Sequence, residues 1–120
     1  MAVIGAGMQG HVQLASLALV REIGSACVYD VRPEAAQCYA SERHEGISCE
    51  VSAAARVEDA VRDADIVITC TWATEPFLFD GMVRPGTHIT TLGPDSPGEA
   101  EVGADRIERS GSVCDDRGLA

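Results

Sequence analysis

The chain has 120 residues, 46% of them hydrophobic, enough for one globular domain with its own core and too few for two. Nineteen acids stand against nine arginines and no lysine, and the net charge of −10 is a field that repels nucleic acid and anionic membranes, arguing against both as partners. No apolar run approaches the roughly 20 residues of a membrane span, and no basic, then apolar, then small-residue leader precedes the first strand, so a cytoplasmic location is expected.

The chain opens on Ala2-Val3-Ile4, a short strand cut close at its N-terminus, which leads directly into Gly5-x-Gly7-x-x-Gly10. Each glycine has a physical reason in a dinucleotide site. Gly5 permits the tight turn off the strand, and Gly7 lets a pyrophosphate approach the backbone. Gly10 lets the next helix lie close on the sheet, with its N-terminal N–H groups and dipole facing the phosphates. That helix is predicted from about Met8 to Ile23, with Val12, Ala15, Leu19 and Ile23 at core spacing and Gly24 as its stop. A second strand, Ala26 to Tyr29, ends at Asp30, twenty residues past Gly10, where a carboxylate accepts both hydroxyls of an adenosine ribose. Arg32 reads either as a holder of a 2′-phosphate or as a solvated residue ahead of Pro33. Because Asp30 would repel that phosphate, the solvated reading is favoured, and NAD is expected over NADP.

Pro33 opens a helix through about Ala40, Ile47 to Val51 read as a short strand, and Val57, Ala60, Val61 and Ala64 give a further helix. Glu58, Asp59, Arg62 and Asp63 form its wet face. Asp65 to Thr71 is a near-continuous apolar run, as a parallel strand covered on both faces requires. His88 to Leu92 is the next strand, a short helix spans about Ala104 to Ser110, and a last strand is expected near Ser112 to Cys114. Strands alternating with helices over short links predict an α/β, doubly wound parallel sheet of Rossmann type in a single domain. In such sheets ligands lie outside the carboxyl ends of the strands, which singles out the loops Gly5–Gln9, Asp30–Arg32, Thr71–Glu75 and Leu92–Asp95.

Cys27, Cys38, Cys49, Cys70 and Cys114 are odd in number and contain no C-x-x-C pair, which argues against a disulfide framework or zinc site and for a reducing compartment. Cys27 and Cys70 lie in apolar runs and read as small buried hydrophobes. His11, His44 and His88 are too scattered in the sequence to suggest a ligand set, so no metal is expected.

Taken together, Gly5-Ala6-Gly7-Met8-Gln9, Ala64-Asp65-Ile66-Val67-Ile68-Thr69-Cys70-Thr71, the segment from Pro85-Gly86 through Gly93-Pro94-Asp95-Ser96-Pro97-Gly98, and Val113-Cys114-Asp115-Asp116 resemble the ornithine cyclodeaminase/mu-crystallin family over essentially the whole chain. The family includes cyclodeaminases, alanine dehydrogenases, imine reductases and a crystallin that binds thyroid hormone. The resemblance implies a NAD(P)-binding domain, residues 1–120, of an enzyme that moves a hydride at the α-carbon of an amino or imino acid. The alternative is a crystallin-type NAD(P)H-binding protein without relevant turnover. It further implies a second, substrate-holding domain built from flanking segments that this sequence does not contain, a homodimeric full-length protein, and no turnover by this piece alone. By the resemblance, the phosphate loop falls on Gly5, Gly7, Met8 and Gln9, and the ribose acid on Asp30. The nicotinamide-side loops fall on Thr71, Trp72, Leu92 and Gly93, with Trp72 either covering the nicotinamide or filling a loop. Asp95, on its own a turn residue beside Pro94, takes the place of the family's catalytic aspartate. Two stretches depart from the family: Glu99-Ala100-Glu101-Val102 after the Pro-Gly pair, and Trp72-Ala73-Thr74-Glu75 after the Thr-x-Thr run. Both lie toward the substrate and bear on whether ornithine is that substrate.

Overall fold

The strand at the start of the chain, β1 (Ala2–Ile4), is the middle strand of a five-stranded sheet, and its three residues are all buried. The computed structural model describes residues 1–42, 44, 46–94 and 96–115. After β1 come α1 (Met8–Ala18), β2 (Ser25–Tyr29), α2 (Pro33–Ser41), β3 (Glu50–Ala53), α3 (Val57–Val61), β4 (Ile66–Thr69), β5 (His88–Thr91) and α4 (Ala104–Glu108). All strands are parallel, in the order β3-β2-β1-β4-β5. The chain thus winds outward from β1 first one way and then the other, which is the doubly wound sheet expected from the sequence.

Alternation along β1 sends Ala2 and Ile4 to one face and Val3 to the other. Val3 packs with Ala26, Val28, Leu14, Ala36 and Tyr39 beneath α1 and α2. Ala2 and Ile4 pack with Val67, Val57, Val61 and Leu78 beneath α3 and the chain leading to β5. Each large apolar side chain buried this way stabilises by about 1.5–3 kcal/mol, against at most about 1 kcal/mol for an exposed ion pair such as Arg62–Asp59. The two apolar layers therefore hold the fold. Among the described residues no helix is long and apolar enough to cross a membrane.

Three expected elements differ in the structure, and one crossover lacks a helix. Helix α1 ends at Ala18 rather than Ile23, and its buried positions are Gly10 and Leu14, not Val12, Ala15 or Leu19. At about 1.5 Å per residue the 11 residues of α1 already outrun β1, whose three residues cover only about 10 Å. A longer helix would overshoot the sheet, so the chain turns at Leu19–Arg21 through bonds to Ser16 and Leu17 carbonyls. Strand β3 lies at Glu50–Ala53 rather than Ile47–Val51, because pairing with β2 fixes its register, Ser25 opposite Glu50. It is an edge strand of alternating exposure, and Ile47 instead packs against the core from the preceding loop. The crossover from β4 to β5 contains no helix; the buried Leu78 and Val83 and a bridge between Leu78 and Val102 hold it. Finally, Ser112–Cys114 forms no strand: Val113 is its one large aliphatic side chain, is 99% exposed, and has nothing to pack on.

Candidate dinucleotide site

Strand register levels the strand ends. Ile4 pairs with Tyr29 and Thr69, and Thr69 with Thr91, so the chain leaves β1, β2, β4 and β5 along one edge. The described parts of the four loops singled out from the sequence therefore lie along the same edge. At the centre Gly5 adopts φ 110° and donates its N–H to the Tyr29 carbonyl at 2.8 Å. A Cβ on Gly5 would strike the Cys70 carbonyl oxygen, and one on Gly10 would strike the Gly5 carbonyl oxygen. The first glycine lets the turn pass over β4, and the last lets α1 sit directly on the turn, as expected of each. Gly7 is exposed, with nothing within 4 Å of where a Cβ would be. It caps α1 without a side-chain bond, and the first turn, opened by the exposed Met8 and Gln9, carries no acid. The positive end of an 11-residue helix is thus left open toward the loop.

At the end of β2 the Asp30 carboxylate, 12% exposed, takes the Ala6 N–H on Oδ2 and the Arg32 N–H on Oδ1, both at 2.9 Å. It ties the glycine turn to the start of α2 and keeps acceptor capacity on each oxygen. The Arg32 guanidinium, 68% exposed, pairs with Asp30 at 3.7 Å.

On the other side of β1, Glu101 is 1% exposed and was not singled out from sequence. Its carboxylate accepts the hydroxyls of Thr69 at 2.6 Å and Thr71 at 2.7 Å, the Thr71 N–H at 2.7 Å and the Gly93 N–H at 3.3 Å. The one sequence signal for it was an acid alternating with the apolar Ala100 and Val102. Trp72 is 86% exposed at the rim of the same loop, and Leu92 is also exposed. Asp95 lies outside the described residues. Beneath the glycine turn the Cys70 thiol donates to the Ile4 carbonyl at 3.4 Å and lies 3.5 Å from that of Gly5. Burial, then the charges of Glu101 and Asp30, pushes it up from 9.0 to about 11.

Two of the three histidines do meet. His11 and His44 flank the Tyr39 ring, and His11 sets Nδ1 2.9 Å from the Gly7 carbonyl and Nε2 2.7 Å from the Glu42 carboxylate. The Tyr39 hydroxyl donates to the Gly10 carbonyl at 3.0 Å and is held well above its usual range, first by burial and then by Cys70, Cys49 and Glu42. Among the described residues no three His, Cys, Asp or Glu side chains gather as metal ligands. A hollow lined by Arg21, Glu22, Ile23 and Ser48 lies before β2 and β3, at the other end of the sheet.

A model of the ornithine cyclodeaminase/mu-crystallin family matches residues 1–118. Alanine dehydrogenase of Archaeoglobus fulgidus is 37% identical over 114 residues, covering 94% of this chain and 34% of its own length. The fold superposes with a TM-score of 0.85 on Delta(1)-pyrroline-2-carboxylate reductase of Thermococcus litoralis in complex with NADH and L-proline. Identity there is 33%, over 91% of this chain and 34% of that one. An archaeal alanine dehydrogenase dimer with bound NAD gives a TM-score of 0.79 at 35% identity, over 90% and 33% of the two chains. The chain thus spans about a third of the length of the relatives it matches.

Proposed function

Because the chain belongs to the ornithine cyclodeaminase/mu-crystallin family, we propose that it is the NAD(H)-binding domain of an enzyme acting at the α-carbon of an amino or imino acid. One observation carries the cofactor reading: the Asp30 carboxylate and the open N-terminus of α1 flank a glycine turn that Asp30 itself holds through Ala6. Gly7 leaves room over the turn where a pyrophosphate would be held, and the Asp30 carboxylate beyond β2 would hold the adenosine ribose. Thr71, Trp72, Leu92 and Gly93, beyond β4, would then hold the nicotinamide. When bound it supplies the hydride transfer. Arg32 is drawn to Asp30 rather than left to meet a 2′-phosphate, which supports NAD over NADP.

Asp95, between Pro94 and Pro97 after β5, is proposed as the general acid/base that moves a proton at the substrate's amine, imine or attacking water. Within the described residues of the four loops Arg32 is the one cation and it pairs with Asp30, which supports a second domain as the holder of a substrate carboxylate. The whole protein is proposed to bring that domain from flanking segments, to act as a homodimer on a small amino or imino acid, and to work in the cytoplasm.

Titration calorimetry tests the cofactor reading. NAD is expected to bind the chain, and Asp30→Ala to weaken binding about ten- to a hundredfold, the worth of hydrogen bonds to a charged acceptor. NADP is expected to bind at least about tenfold more weakly than NAD, because its extra phosphate meets a like charge. No binding at millimolar NAD, or equal affinity in the variant, would remove the site. Tighter NADP binding that is lost in Arg32→Ala would reverse the cofactor choice.

A further inference from the structure

The donors gathered on Glu101 come from two different strand ends. Thr71 gives its N–H and its hydroxyl to Oε1, while Gly93 gives its N–H, and Thr69 its hydroxyl, to Oε2. Thr71 Oγ1 in turn accepts the Ala73 N–H at 3.2 Å, so the carboxylate orients that hydroxyl and, through it, the turn bearing Trp72. Glu101 is itself fixed, its backbone carbonyl taking the N–H groups of Phe77 and Leu78 at 3.0 Å. Space is equally tight, since a Cβ on Gly93 would strike both Glu101 Oε1 and the Thr71 carbonyl oxygen.

We propose that Glu101 is a positioning residue: by joining the Thr71 and Gly93 loops, its buried carboxylate sets the nicotinamide half of the dinucleotide site. The inference rests on the reading of these loops as the nicotinamide side. Asp30 performs the matching task on the adenosine half, tying the glycine turn to α2. The chemistry requires a carboxylate, because the two backbone partners can only donate and a carboxylate only accepts. A glutamine amide accepts at one atom alone. With its oxygen toward Thr71, its NH₂ group meets the Gly93 N–H donor to donor, while the Thr69 hydroxyl turns round to accept. Glu101→Gln therefore releases the Gly93 loop and keeps the Thr71 one.

The test compares NAD with ADP-ribose, which lacks the nicotinamide, by calorimetry on the 120-residue chain. In E101Q the NAD affinity is expected to fall about tenfold, and the ADP-ribose affinity to stay within about twofold, as the loss of one bond to a charged group on one side predicts. Glu101→Asp keeps the charge but not the reach, and it is expected to show the same selective loss where the glutamine variant fails to fold. Thr69→Val strips one hydroxyl from the same carboxylate but leaves both loop amides on it. It is expected to lower thermal stability with the NAD to ADP-ribose ratio unchanged. An unchanged ratio in E101Q, or an equal fall for both ligands, would overturn the positioning role while the cofactor site stands. Failure of the wild-type chain to bind either ligand would overturn both together.

Discussion

The Cys70 thiol lies under the glycine turn, where a thiolate would face the carbonyls of Ile4 and Gly5 and the charges of Glu101 and Asp30. The fold therefore favours the neutral thiol and raises it to about 11. A group raised in the folded state contributes its stability below its ordinary value and loses it as pH climbs to the folded one. For Cys70 the loss falls between pH 9.0 and about 11. Cys38 and Cys114 are exposed. Iodoacetamide at pH 8 is expected to modify those two at least about tenfold faster than Cys70, since thiolate fraction and access set the rate. Peptide mass spectrometry over time measures this, and equal rates at Cys70 and Cys38 would show that the turn does not seal the thiol. At this scale the place of Asp30 beside the glycine turn was legible, because an acid at the end of the second strand stands at a fixed distance from the glycine motif in sequence. Glu101 was not, because its partners Thr69, Thr71 and Gly93 come together only when β4 and β5 pair.

At the scale of elements, strands with continuous apolar runs were legible. Burial on both faces writes itself into Val67 and Ile68 of β4, and into all three residues of β1. Which side of α1 is covered was less so, because apolar residues line two of its sides and only the sheet decides between them. Leu14 is fully buried, whereas Val12 is 46% exposed. Leu14→Ala is expected to cost about 2–5 kcal/mol, and Val12→Ala within about 0.5 kcal/mol. Urea unfolding of the two variants decides the matter; equal midpoints would mean that the covered side of α1 has been misplaced. The strand expected at Ser112–Cys114 failed for a related reason. A short apolar triplet becomes a strand only beside a partner edge, and composition does not say whether one is offered.

For the whole molecule, the expectation is a division of labour. On the proposed function, this domain would hold the cofactor and a second domain would present the amino or imino acid to it. In a two-domain protein carrying this chain, Asp95→Asn is expected to lower kcat by about 10²–10⁴ with NAD affinity within about twofold of wild type, because proton transfer and cofactor binding use different groups. NADH formation on adding amino acids, read beside calorimetry, measures both. Near-normal turnover in the variant would reduce Asp95 to a turn residue. No turnover is expected from the 120-residue chain alone.

Among the described residues β3 and β5 are the two edges of the sheet, and a sheet edge left unpaired is a template on which a neighbouring chain can grow a strand. Both edges are four residues long. The strand β5 reads His88-Ile89-Thr90-Thr91 and stands between Pro85 and Pro94, while β3 begins on the charge of Glu50. Brevity, polar side chains, flanking prolines and an edge charge are what discourage edge-to-edge fibril growth. The net charge of −10 adds mutual repulsion between copies, which further discourages growth through the sheet edges.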